Sequence, residues 1–418
     1  MEKKTKNILI FAIIFAGFFL RVFFVDKTII GDILVNAEWG QALIQSGANE
    51  QYYRNDWYYT PPVYPPFSQL VFGGAFYLYD HKYILSQMHN LIKFPPAFFI
   101  IYFYKWGYYL LLKLPAILAD LGLGLIIHKV IFKLTGSIKR SLLGMAVYIF
   151  NPVTVFLSGI WGQTDSLVAL FGITSFMLLN TGNVFLSLPL FFLGIYFKPS
   201  WAIFAPVYLF LLIVRKSNIR SVIFGILTSL ALFIAISAPF AKDSVTTFTW
   251  ELFTQKIPLP IGILGKASNS AFNFYTMIFR IDIDPAPKIA GLVAYLILNL
   301  AAFGALKRQK NTLLGLFTGL FLIGIGSFLF MTSMLERYFF PGLVPLIVLM
   351  FARPKLLIGL AIMNIIFFVN IAWSFYRRTS DEIGRPFVVN NFFLIRILSF
   401  IQVAIYLRVL KMIQFKRG

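Results

Sequence analysis

The 418-residue sequence contains no cysteine, which excludes disulfide staples and thiolate chemistry. Its three histidines, His81, His89 and His128, have no ligand spacing with one another, so neither a metal site nor a resident cofactor is expected. Charge is scarce as well. Charged residues make up 13% of the chain against 59% hydrophobic ones, at a mean hydropathy of +0.79, and no hydrophilic stretch is long enough for a separate soluble domain. Fixed-period repeats and low-complexity tails are absent too. What the sequence has in abundance is apolar runs long enough to cross a bilayer. It therefore reads as an all-α, polytopic membrane protein, with residues 1–418 in one integral domain.

Lys and Arg number 37 against 16 Asp and Glu, a net charge of +21. The basic residues are scattered through short connections between apolar runs and form no stripe, which argues for membrane topology and against a nucleic-acid partner. Lys3, Lys4 and Lys6 precede a first span over 7–25. That run lacks a small-residue cleavage site and is followed by many more spans, so it reads as an uncleaved helix with a cytoplasmic N-terminus. A first extracytoplasmic loop covers 26–66. Within it, residues 31–47 have helical period: Ile33, Ala37, Leu43 and Ile44 share an apolar face and Trp39 is an interfacial anchor, so this helix is expected to lie on the membrane surface. The runs 64–79 and 96–112 are short, and either cross as a pair or dip in and return. Further spans are predicted over 114–131, 145–158, 168–179, a hairpin over 185–208 broken at Phe197-Lys198-Pro199, 222–238, 289–306, 313–331, 338–351, 356–375 and 392–409. A longer extracytoplasmic segment occupies 240–288, and Lys411, Lys416 and Arg417 end the chain inside. This gives roughly 12–14 transmembrane helices with both termini cytoplasmic.

In that topology nearly all the acids fall in or beside outer loops. Positive-inside sorting says little about acids, so an outward-facing polar site is the simplest cause. Ionisable groups at membrane depth are expensive, and four places stand out: Asp32, Asp165, Lys198 and the Glu336-Arg337 pair. Asp32 and Asp165 each read equally as helix caps, Lys198 as a snorkelling side chain, and Asp120 as a polar contact between helices. Taken together, a carboxylate and two cations on one membrane face suit a hydroxyl nucleophile and a lipid-phosphate leaving group. The carboxylate, Asp32, would accept the hydroxyl proton; Arg337 and Lys198 would stabilise the departing phosphate. Arginine grips phosphate in bidentate fashion, whereas lysine acts as a point charge.

Several strings also resemble the GT-C class of integral membrane glycosyltransferases, in particular bacterial mannosyltransferase-like proteins related to the second mannosyltransferase of GPI-anchor synthesis. They are the acid after the first helix with its tryptophan (Asp32, Trp39), YPPF at 64–67, KLPAILAD at 113–120, NPVTVFLSGIWGQTDSL at 151–167, FKPSW at 197–201, SNSAFN at 268–273 and ERY at 336–338, in family order across most of the chain. The resemblance implies a GT-C fold, a polyprenyl-phosphate-linked hexose donor, inverting transfer on the extracytoplasmic face, and Asp32 as catalytic base. Substrate-binding positions on these matches are Trp39, Tyr64, Trp161, Gln163, Asp165, Asn269, Asn273, Glu336 and Tyr338. One departure is Leu335, where relatives often carry a histidine; it shifts weight for the donor phosphate onto Arg337 and Lys198.

The expected function is therefore a membrane hexosyltransferase, mannose being the first candidate sugar, acting on a cell-envelope glycan or lipid acceptor. Two alternatives compete: a transporter or flippase of lipid-linked sugars, and a catalytically inactive sugar-binding partner. A transporter would call for related halves or broken helices meeting at mid-bilayer. Neither the acceptor nor the oligomeric state follows from the residues.

Overall fold

The computed structural model describes residues 3–257, 265–281, 283–310, 312–379 and 392–415. The proline-rich turn around residue 258 and the terminal Lys416 and Arg417 lie outside the described residues. The fold is all-α: among the described residues the β pairing is an isolated bridge between Lys266 and Pro285. The helices are α1 (Lys3–Phe23), α2 (Asp32–Ser46), α3 (Pro66–Asp80), α4 (Tyr83–Ile92), α5 (Ala97–Thr135), α6 (Ile138–Ile149), α7 (Pro152–Val155), α8 (Asp165–Asn180) and α9 (Val184–Phe197). They continue as α10 (Ala205–Val214), α11 (Ile219–Ser237), α12 (Val245–Glu251), α13 (Lys288–Arg308), α14 (Leu313–Phe330), α15 (Leu343–Ala352), α16 (Leu357–Arg378) and α17 (Phe392–Phe415). A π-helical segment, Phe156–Trp161, follows α7; 3₁₀ segments Pro199–Phe204 and Glu336–Gly342 lead into α10 and α15.

Among the described residues, 8 helices are long and apolar enough to cross a membrane. Shorter apolar helices cover Asp165–Asn180, Val184–Phe197 and Pro199–Val214. Their outer surfaces carry large apolar side chains, such as Phe11, Ile213, Ile289 and Ile358, that suit lipid. The protein is a multi-pass membrane protein. Polar caps set the helix starts: Ser137, Asn151, Asn183, Asn218 and Thr312 each accept a main-chain N–H of the following turn.

The runs 96–112 and 114–131, expected as separate elements, form one 39-residue helix, α5. Pro115 lies inside it without ending it. At 1.5 Å per residue α5 is about 58 Å long, nearly twice a hydrocarbon core, so it has length for one crossing and an overhang. The run 64–79 becomes α3, which packs on α2 and against the overhang through Phe76, Tyr79 and Tyr108.

α14 occupies the centre of the bundle, buried at nearly every position from Leu313 to Leu329. Gly324 lets it touch the 3₁₀ segment before α15: a Cβ there would sit 2.7 Å from the Cα of Gly342. Such small-residue contacts bring main chains together where lipid gives no hydrophobic drive. The expected polar contact at Asp120 is a buried network. Its carboxylate accepts from Arg21 Nε (3.1 Å), Tyr148 (3.0 Å), Ser158 (2.7 Å) and Ser166 (2.6 Å), while Arg21 also donates to Thr154 and to the carbonyls of Gly17 and Ile149. α1, α5, α6, α7, the π segment and α8 are thereby tied at one depth.

Candidate active site

The turn after α1 enters α2 through Gly31, whose φ of +63° favours glycine. Gly31 holds the cap position and, being glycine, brings no side-chain cap to α2. Asp32 is instead the first residue of the helix, partly exposed, and its Oδ2 accepts a hydrogen bond from Gln163 Nε2. The capping alternative for Asp32 is not realised. Gln163 is presented by the π segment: its own N–H donates to Leu157 O at 2.8 Å, and Gly162 turns the chain at φ +80°. The turn GIWGQTDSL, between the runs 145–158 and 168–179, is folded inward, with Trp161, Gln163, Thr164, Asp165 and Ser166 all buried. The reason is that its polar groups find protein partners in Asp32, Lys198 and Asp120.

Asp165 does not cap α8 either. Its two oxygens each lie 3.0 Å from Lys198 Nζ, in a pair with both side chains buried. Lys198 therefore reaches a carboxylate instead of snorkelling. The Tyr64 ring lies 5.5 Å from the same ammonium. Across the site, Glu336 is fully buried and accepts from Arg337 Nη1 (3.0 Å) and Ser374 (3.0 Å), with Arg378 3.6 Å away. The Arg337 guanidinium lies 5.8 Å over the Trp161 ring, within cation–π range. Asp32 and then Glu336 are the negative charges acting most strongly on it, although its buried Nε has no hydrogen-bond partner among the described residues. Tyr338 sits within the fields of Arg337, Lys198, Tyr64 and Asp165.

The structure thus brings together Asp32, Gln163, Trp161, Arg337, Glu336, Tyr338, Tyr64, Asp165 and Lys198. Others serve as framework. Trp39 is no interfacial anchor: it is 1% exposed, stands edge-on to Tyr64 at 5.7 Å and donates to Thr60 O at 2.7 Å. α3 packs on α2 at Gly40 and Leu43, and Ile33 lies against Gly162, so α2 is a packed helix whose Ile44 alone of the expected apolar set points outward. Asn273 is buried and consumed by main-chain bonds to Phe328, Met331, Tyr275 and Thr276. Asn269 meets Met334 and Arg378 through its main chain. The acids of the segments expected outside also have structural work: Glu38 accepts the N–H groups of Tyr58 and Tyr59, Glu50 pairs with Lys242, and Glu251 accepts from Tyr53. A polar site accounts for only part of their asymmetry.

Sequence reasoning passed over Arg21, Lys113, Ser374 and Arg378. For Arg21 the signal was there, a cation inside the first apolar run. Lys113 opens the KLPAILAD string; Ser374 and Arg378 lie at a helix end with no pattern to mark them. Among the described residues no three His, Asp or Glu side chains group closely enough to hold a metal ion. No family model matches this chain, and no curated protein matches it.

Proposed function

We propose that this protein is a GT-C-type membrane glycosyltransferase that moves a hexose, mannose being the first candidate, from a polyprenyl phosphate to a hydroxyl of a cell-envelope glycan or lipid. Asp32 takes the proton of the acceptor hydroxyl as its oxygen attacks the anomeric carbon from the face opposite the phosphate. The bond between that carbon and the phosphate oxygen breaks, and the electron pair leaves with the phosphate. Arg337 neutralises the charge that develops there. The site faces the extracytoplasmic side.

One observation carries this reading: a carboxylate bonded by a buried amide, Asp32 with Gln163, acts on an arginine whose buried Nε has no hydrogen-bond partner among the described residues. A guanidinium with an uncommitted donor suits a phosphate oxygen, which it grips by charge-assisted hydrogen bonds. Lys198, already paired with Asp165, has the lesser claim on phosphate and sets the position of the loop that carries Gln163.

The test uses protein reconstituted in vesicles with radiolabelled polyprenyl-phosphate hexoses. Transfer of label to an acceptor or to water, lost in Asp32→Asn by about a thousandfold while the variant stays folded, is the expected result. Full activity of Asp32→Asn would remove Asp32 as base. Movement of the lipid across the bilayer without cleavage, or binding without turnover, would replace the enzyme reading with a transporter or a binding partner.

A further inference from the structure

Lys113 lies within α5, fully buried, and the acid that acts on it, Asp26, forms no ion pair with it among the described residues. The N–H groups of its Nζ are shared instead among four main-chain carbonyls: Val25 at 3.1 Å, Thr28 at 3.2 Å, Gly159 at 3.0 Å and Ile160 at 3.0 Å. Val25 and Thr28 belong to the turn between α1 and Gly31, which delivers Asp32. Gly159 and Ile160 belong to the π segment that delivers Gln163. One buried cation therefore holds both shoulders of the bond between Asp32 and Gln163.

From this juxtaposition we infer that Lys113 is a positioning residue that keeps Asp32 and Gln163 in register by clamping the two main-chain segments that carry them. The physical basis is the carbonyl surplus at helix ends. Gly159 and Ile160 lie in the last turn of the π segment, where carbonyls run out of intrahelical donors and carry the negative end of the helix dipole, and Val25 and Thr28 lie in the irregular turn after α1, so all four carbonyls converge on the ammonium as they would on a bound cation. The arrangement is crowded. A Cβ on Gly162 would lie 3.3 Å from Lys113 Cε and 2.8 Å from Ile33, so the clamp, the Gln163 turn and α2 are in mutual contact. A base displaced by even about 1 Å loses the alignment on which its proton transfer depends. The consequence for catalysis rests on the glycosyltransferase reading; the clamp does not.

The experiment compares wild type with Lys113→Met, which keeps the apolar stem and removes the donors, and with Lys113→Gln, which reaches fewer of the carbonyls. Hydrogen exchange is followed by mass spectrometry in the detergent-solubilised full chain, alongside steady-state transfer from a polyprenyl-phosphate hexose. Expected is exchange about tenfold faster at 24–31 and 157–164, with the rest of the fold unchanged. Transfer is expected to lose roughly a hundredfold in kcat while KM for the donor moves by less than about threefold. Unchanged exchange at either segment would overturn the clamp, as would a loss confined to KM. Collapse of the whole fold in both variants would overturn it too, marking Lys113 as a general stability element. A wild type that transfers no sugar would defeat the proposed function, and the exchange comparison would still decide the clamp.

Discussion

Gln163 bonds the carboxylate that the proposed chemistry requires as base, so its contribution should appear in turnover more than in binding. Gln163→Ala is expected to lower kcat roughly tenfold to a hundredfold with donor KM little changed, measured by the transfer assay. Arg337 makes a contrasting case. Its Nη1 is spent on Glu336 and its Nε is not, so Arg337→Lys keeps a positive charge but loses the planar fork. Its kcat/KM should fall about a hundredfold, and a purely electrostatic contact to phosphate would instead leave it near wild type. The sequence singled out Asp32, Asp165, Lys198, Glu336 and Arg337 because charge is expensive at membrane depth. It could not say which pairs with which: every one of these bonds joins residues distant in the chain, except that between the neighbours Glu336 and Arg337.

At the scale of elements, the buried pair Asp165–Lys198 fixes the start of α8 to the end of α9. Lys198→Met leaves a buried carboxylate alone and should destabilise the protein by about 3–5 kcal/mol, whereas the double replacement with Asp165→Leu should recover most of that loss, read by thermal unfolding in detergent. If the single variant melts like wild type, the pair is not desolvated as described. The contact of α14 with the segment bearing Glu336 and Arg337 makes a second case. Gly324→Ala places a methyl against the Gly342 main chain and should cost about 1–3 kcal/mol while lowering transfer. Hydropathy located most of the spans, because each must be apolar over its whole length. It misjudged α5 as two elements, since composition falls between two apolar runs whether or not the backbone bends there, and Lys113 is held by carbonyls that hydropathy does not register.

For the whole molecule, the absence of cysteine from the sequence offers a direct test of the proposed orientation. Single cysteines at Lys27 and Asp243 should react with an impermeant maleimide in intact cells, and those at Lys216 and Lys310 only after permeabilisation. The reverse pattern would put Asp32 on the cytoplasmic side and end the extracytoplasmic reading. The tie of α1, α5, α6, α7, the π segment and α8 through Arg21 and Asp120 extends over distant parts of the chain, so Asp120→Leu should destabilise the bundle by about 3–5 kcal/mol, leaving the buried Arg21 without its counter-charge.

Composition and the lengths of the apolar runs determined by themselves that this is a helical membrane protein, because the bilayer imposes on every spanning segment a length and an apolarity that can be read locally. Only the tertiary structure decided that Asp32 meets Gln163, that Lys198 is claimed by Asp165, that Trp39 is packing, and that Lys113 grips the carbonyls on both sides of the site. Those are distances between segments far apart in sequence, set by how helices pack, and no local pattern encodes them.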